Sequence, residues 1–345
     1  MDINFKPWKS KHQPRRILAI RLQAMGDTVI TLPYLQALRN SLPADTRLDL
    51  LTREEVAPVP KSLVLFNHVY CIKGGRNFRK QFVYACLMLV RLMFNRYDVV
   101  IDLQNNTISR MVRRWIMPRA WSEFDRFSPV AAGERTRLTI ESVGLGSNFI
   151  DPGFIFKKAP QLDQILIDGG WDGESKLAII NPAGAFTTRN WSMDNYISFA
   201  KLWIEHFPDT QFVVIGVSFI ADKARYLKHE LAGRLINLVG NTSPVQAFAI
   251  VQKAQFVLSE DSGLMHMAWV SDIPTIAMFG STRSDWARPL NKRSLLLSSD
   301  DLPCGNCMLE NCTYGDVHCL TRYTPQMVFE KILTFLYPTS NNRQD

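Results

Sequence analysis

Three short stretches of this 345-residue chain gather side chains that move protons or hold anions. Near the amino end, Gln23-Ala24-Met25-Gly26-Asp27-Thr28 follows the apolar run Ile17 to Leu22 and sets one carboxylate at a strand-to-helix turn. A carboxylate there can take the proton of an incoming hydroxyl as its oxygen attacks an electrophilic carbon. Asp is equally suited to capping the helix, and the local sequence leaves both roles open for Asp27. In the second half, SEDSGLMHMA from Ser259 to Ala268 occupies another strand-to-helix junction. Ser262 and Gly263 would present backbone N–H groups and a helix dipole to a phosphate, with His266 on the first turn as a further donor. The plainer readings are a simple cap for Asp261 or Ser262 and a satisfied core histidine for His266. The third stretch, NPAGAFTTRNWS from Asn181 to Ser192, holds small residues, the hydroxyls of Thr187 and Thr188, and Arg189. Arginine presents a fork of donors suited to a diphosphate; a surface loop ending in a cap at Ser192 is the alternative.

A fourth group is cysteine. Cys71 and Cys86 lie apart, but Cys304, Cys307, Cys312 and Cys319 follow C-x2-C-x4-C-x6-C with His318 adjacent. Such density is that of a small metal knot, although x4 and x6 are not standard spacings. In a reducing compartment free thiols or a structural zinc are expected ahead of a disulfide.

These stretches must be positioned by something regular. Apolar runs at Ile17–Leu22, Leu48–Arg53 and Asp98–Gln104 alternate with helical spacing, including a long stretch from about Phe78 to Phe94, as βαβ units do. From about Ala131 to Glu174 the chain turns irregular and rich in Gly and Pro, which marks a domain boundary. The alternation restarts at Leu177–Gly184, Gln211–Gly216, Gln255–Asp261 and Pro274–Gly280. Helices are expected to open at Ser192, at the capping box Ser243-Pro244-Val245-Gln246, and at Thr324-Pro325. The chain is long enough for two α/β domains, each with its own core. A dinucleotide fingerprint is missing, since Gln23 to Thr28 contains one Gly and a carboxylate where G-x-G-x-x-G would stand.

Forty Lys and Arg against 32 Asp and Glu give a net charge of +8. The excess is concentrated between Arg76 and Arg119, where Arg76, Arg79, Lys80, Arg91, Arg96, Arg110, Arg113, Arg114 and Arg119 face only Asp98 and Asp102. A solvated face is the default reading of such a run, and a surface meeting phosphate groups is the sharper one. No apolar stretch reaches the roughly 18 residues of a spanning helix. The amino terminus is basic and polar with no apolar h-region, so the expected location is the cytoplasm, with peripheral contact at the inner face of the cytoplasmic membrane open.

Taken together, RILAIRL-x-AMGD-x-V-x-TLP, NPAG followed by RNWS, and SEDSGLMHMA resemble glycosyltransferase family 9, the ADP-heptose:lipopolysaccharide heptosyltransferases. The resemblance runs from about Arg16 to the final helix. It implies the GT-B architecture: two Rossmann-like domains facing a central cleft, with an acceptor-binding domain over 1–160 and a nucleotide-sugar domain over 161–323. Residues 324–345 would be a helix crossing back towards the first domain, and a tail. It also implies inverting transfer, with Asp27 as general base and no obligatory metal. Thr187, Thr188, Arg189, Asp261, Ser262, Gly263 and His266 would hold the donor, an ADP-sugar, and Asp222 is a further candidate there. Arg189 departs from the family, which usually has Lys at that place. The implied acceptor is a cell-envelope glycolipid or oligosaccharide. A nucleotide-sugar epimerase of the same fold and a non-catalytic nucleotide- or nucleic-acid-binding protein are the competing readings. For nucleic acid the basic run brings no recognition helix and no aromatic signature with it, so no such partner is expected.

Overall fold

The computed structural model describes residues 3–145, 150–184 and 186–338. It divides into two compact units, Met1–Ala159 and Pro160–Asp345, each built around one six-stranded sheet.

In the first unit the strands are β1 (Phe5–Lys6), β2 (Arg16–Ile20), β3 (Arg47–Arg53), β4 (His68–Ile72), β5 (Val99–Asp102) and β6 (Ala120–Glu123). They lie in the order β1-β6-β5-β2-β3-β4, all parallel except the short edge strand β1. The near-continuous apolar character of β2 and β5 follows from helices covering both faces of a parallel sheet. Leu18, Ile20, Leu51 and Val100 meet Ala85, Leu89 and Leu92 of the helix Phe78–Phe94 in one core. The chain leaves β2 to one side and enters β5 on the other, so the loop after β2 sits where strand order reverses.

The second unit repeats the plan with β7 (Lys176–Asn181), β8 (Thr210–Val214), β9 (Leu235–Asn237), β10 (Phe256–Glu260), β11 (Thr275–Met278) and β12 (Ser294–Leu297). The order β12-β11-β10-β7-β8-β9 is parallel throughout and puts its switch point between β7 and β10. Ser192, Ser243 and Thr324 cap their helices as expected, each accepting the N–H three residues on. The core is aromatic: Trp191, Tyr196, Phe199, Trp203, Phe212 and Phe256 are buried together. Val328, Phe329 and Ile332 of the last helix, Pro325–Leu336, join that same core, and the helix packs along Met193–His206. Its apolar face is thus used within the second unit. Counted from β2 and from β7, the two sheets share the Rossmann strand order, and the fold is of the GT-B type.

Candidate functional site

Each switch point holds one of the groups picked out in the sequence. In the first unit the loop after β2 is tied to the end of β5: Gln104 Oε1 accepts from Leu22 N at 2.9 Å and from Gln23 N at 3.0 Å. The helix Met25–Ser41 then begins, with Ala24 as its N-cap residue. Asp27 is therefore not the cap itself; it sits in the first turn and reaches back, its Oδ2 accepting from Ala24 N at 3.0 Å. Its other oxygen, Oδ1, lies 3.0 Å from Arg21 Nη2. The carboxylate is 42% exposed while Arg21 is buried. Burial pulls the Arg21 guanidinium below its ordinary value, against the raising effect of Asp27. Arg21 donates to the Leu103 carbonyl and stacks 5.0 Å from the Phe124 ring centroid, as does Arg135. The result is a carboxylate of fixed direction, open on one side to solvent and backed by cations.

The second switch point is more enclosed. The loop that follows β7 is clamped by two residues that the motifs did not single out. Glu260, at the end of β10 and fully buried, accepts from Gly184 N at 2.5 Å and from Trp191 N at 2.6 Å. Burial pushes its carboxyl up to about 8, against the pull of those N–H groups and of Lys223. From the other side Lys223 Nζ donates to Pro182 O at 2.9 Å and to Asn190 Oδ1. Gly184 is required by this closeness, because a Cβ there would stand 2.4 Å from Arg189 O. The loop's far end is fixed by Trp191, whose Nε1–H donates to Tyr323 O at 2.8 Å.

Arg189 rides on this clamped loop. Its guanidinium lies 5.2 Å from the Phe186 ring centroid, its buried Nε has no hydrogen-bond partner, and among the described residues no carboxylate forms an ion pair with it. Asn181 joins the loop to the neighbouring strand, donating to Ser259 Oγ at 2.9 Å and Ser262 Oγ at 2.8 Å. Ser262 caps the helix Gly263–Val270, accepting from Met265 N at 3.3 Å. Asp261, Ser262 and Gly263 are half-buried at this end. His266 is buried and accepts from Trp269 Nε1 at 3.0 Å through Nδ1, which puts the proton of the neutral ring on Nε2.

The other two hydroxyls of the loop turn elsewhere. Thr188 Oγ1 donates to Leu309 O at 2.6 Å and Thr187 Oγ1 to Glu310 O at 3.2 Å, while Ser281 N donates to Thr188 O at 3.0 Å. These bonds seat the cysteine-rich segment on the loop, close enough that a Cβ on Gly280 would lie 2.1 Å from Thr188 O. Cys304, Cys307, Cys312 and Cys319 line one cavity of about 360 Å³ together with Thr188, Ser281 and His318. All four are free thiols. Burial first, and the neighbouring thiols second, push Cys319 up to about 11. Among the described residues no three Cys, His, Asp or Glu side chains form a ligand set for a metal ion.

Asp222 stands apart from this cluster. Its side chain is in solvent and pairs with Arg225, and its neighbour Lys223 is the residue that turns inward. The basic run is also divided: Arg113 is buried against Glu123 and lies 3.9 Å from the Trp121 ring centroid, whereas the other eight cations are exposed.

The family model of glycosyltransferase family 9 (heptosyltransferase) matches residues 155–318, almost all of it in the second unit. Lipopolysaccharide heptosyltransferase 1 of Pseudomonas aeruginosa extends the likeness to the first unit as well, being 24% identical with 93% of this chain and 98% of the relative covered. These matches support glycosyltransferase family 9. Among solved structures, a family 9 glycosyltransferase from Veillonella parvula superimposes with a TM-score of 0.76 at 17% identity, covering 94% of this chain and 98% of its own. The E. coli heptosyltransferase WaaC with ADP-2-deoxy-2-fluoro heptose gives 0.65 at 18% identity, with 92% and 98% covered. The family match lies in the unit that holds Arg189 and His266.

Glu260 had a signal in the sequence: a carboxylate closing the otherwise apolar run Phe256 to Leu258 must be satisfied by something polar if the strand is central. Lys223 had none, because its targets, Pro182 O and Asn190 Oδ1, lie far away in sequence.

Proposed function

We propose that this chain is an inverting heptosyltransferase. It moves a heptose from ADP-heptose to a hydroxyl of a lipopolysaccharide-core acceptor, with the acceptor on the first unit and the donor on the second. The carrying observation is Arg189: a cation without an ionic partner among the described residues, held on a loop clamped by Glu260 and Lys223, at the switch point where α/β sheets bind nucleotides. The names of the relatives agree with this reading, since the Pseudomonas protein is a lipopolysaccharide heptosyltransferase and the E. coli structure holds an ADP-heptose analogue.

The chemistry follows from the two sites. Asp27 takes the proton of the acceptor hydroxyl, whose oxygen attacks the anomeric carbon. The bond from that carbon to the diphosphate breaks with its electron pair, and ADP leaves with the charge. Arg189, the N–H groups at the start of the helix Gly263–Val270 and His266 receive that charge. One displacement inverts the anomeric centre, and because the protein itself supplies the cationic groups, turnover is expected to persist in EDTA.

The test is incubation with ADP-heptose and a delipidated core oligosaccharide, with ADP release and the anomeric configuration of the product followed together. An inverted glycoside with one ADP per transfer is expected. Retention of configuration would overturn the mechanism. Interconversion of the sugar without acceptor would favour the epimerase reading, and failure of ADP to bind in calorimetry would remove the donor assignment.

A further inference from the structure

One helix of the first unit has two apolar faces. On Phe78–Phe94, Ala85, Leu89 and Leu92 form the buried stripe. Val83, Leu87, Val90 and Phe94, spaced four, three and four residues apart, form a second stripe on the opposite side. That stripe lies in solvent, with Leu87 67% and Phe94 82% exposed. An amphipathic surface helix would carry polar residues there. Polar residues appear only at the margins, as the exposed cations Arg79, Lys80 and Arg91.

The adjoining helix Thr107–Ile116 packs beside it and continues the pattern. Thr107, Arg110, Met111, Arg114 and Trp115 of that helix, with Phe82 of its neighbour, line a groove of about 450 Å³. Trp115 is 60% exposed and Met117, just beyond, 78%. The surface therefore alternates apolar side chains able to enter a hydrocarbon layer with arginines able to meet the phosphates above it.

We propose that this face, the outer stripe of helix Phe78–Phe94 with Arg110 and Arg114 beside it, docks the enzyme on an anionic bilayer. Charge chooses the occupant. A second copy meeting this face about a two-fold axis would set Arg79, Lys80, Arg91, Arg110 and Arg114 against the same five cations, whereas an anionic headgroup layer neutralises them. No helix among the described residues is long and apolar enough to cross a membrane, so the contact lies in the plane of the interface, with seventeen residues of helix laid along it. The inference rests on the reading that the acceptor is a glycolipid, for which such docking brings acceptor and enzyme onto one surface.

The experiment is flotation of the full chain with phosphatidylcholine vesicles, with and without phosphatidylglycerol, beside transfer to the delipidated oligosaccharide. The parent protein is expected to float with the anionic vesicles, and less so at raised salt. Leu87→Glu combined with Val90→Glu, at exposed positions that leave the buried stripe untouched, should lower vesicle partition by about tenfold or more. Arg110→Gln with Arg114→Gln should erase the preference for anionic over neutral vesicles. Transfer to the lipid-free acceptor should be unchanged in both. A parent protein that transfers normally and ignores anionic vesicles would overturn the docking proposal and leave the function standing. One that floats but transfers no heptose would do the reverse. A concentration-dependent dimer dissolved by Leu87→Glu would replace the bilayer with a second copy.

Discussion

The switch points of the two units share a strand order and differ in how they are built. After β2 the key group is a carboxylate 42% exposed, directed by one arginine and one backbone N–H. After β7 the key loop is braced from both sides by buried ionisable groups, Glu260 and Lys223, and sealed by the Trp191 bond to Tyr323 O. A base has to exchange protons with an incoming hydroxyl, so it needs direction and access. A site for a diphosphate leaving group gains from donors that are already aimed, because reorganisation during the reaction weakens their effect. The bracing is therefore concentrated in the second unit and the access in the first.

The most damaging way to break this contrast is at Asp27. Asp27→Asn keeps an oxygen for Ala24 N but removes the charge, and kcat is expected to fall by roughly 10³-fold or more while ADP binding in calorimetry stays near the parent value. Retained turnover would leave the first switch point with a capping role alone. Next comes Arg189→Ala, expected to weaken ADP binding by roughly 10- to 100-fold, the scale of a charge-assisted hydrogen bond, with Arg189→Lys recovering only part because the fork is lost.

The brace itself is tested by pH. The folded chain keeps a proton on Glu260 between its ordinary 4.5 and about 8, a range in which the unfolded chain has released it. Stability thus falls as pH rises through that window and levels off above it. Calorimetric Tm values should show this decline in the parent, and a flatter profile in Glu260→Gln. A parent profile that stays flat across that window would mean a Glu260 held ionised by its N–H donors. The smallest effect belongs to Asp222→Asn, which disrupts only a surface pair with Arg225; less than about a twofold change in any kinetic constant is expected.

How far all this was legible depends on what kind of signal a residue leaves. The strands at Leu48, Val99, Leu177 and Phe256 declare themselves because a parallel sheet covered on both faces needs unbroken apolar runs. The caps at Ser192, Ser243 and Thr324 do so because capping is a contact three residues long. Asp27 was visible as a carboxylate at a turn, but its register was not: a shift of a few residues separates a cap from a first-turn residue reaching back. Thr187 and Thr188 looked like phosphate donors, and nothing in their own stretch shows that carbonyls more than 120 residues away accept from them. Arg113 counts as surface charge until Glu123 is found beside it across the fold. Short β1, β9 and β12 left no pattern long enough to read.

The Trp191 bond also fixes when the Arg189 loop can be finished. A ribosome releases β7, the Arg189 loop and the helix from Gly263 well before Tyr323. The bond to Tyr323 O and the apolar cover from Val328, Phe329 and Ile332 come from a segment that starts 132 residues after Trp191. The first unit can fold while the second is still being made. The loop that carries Arg189 gains this anchor only once Tyr323 has been made, so a nascent product ended before that residue would have the first unit assembled and the second unlatched.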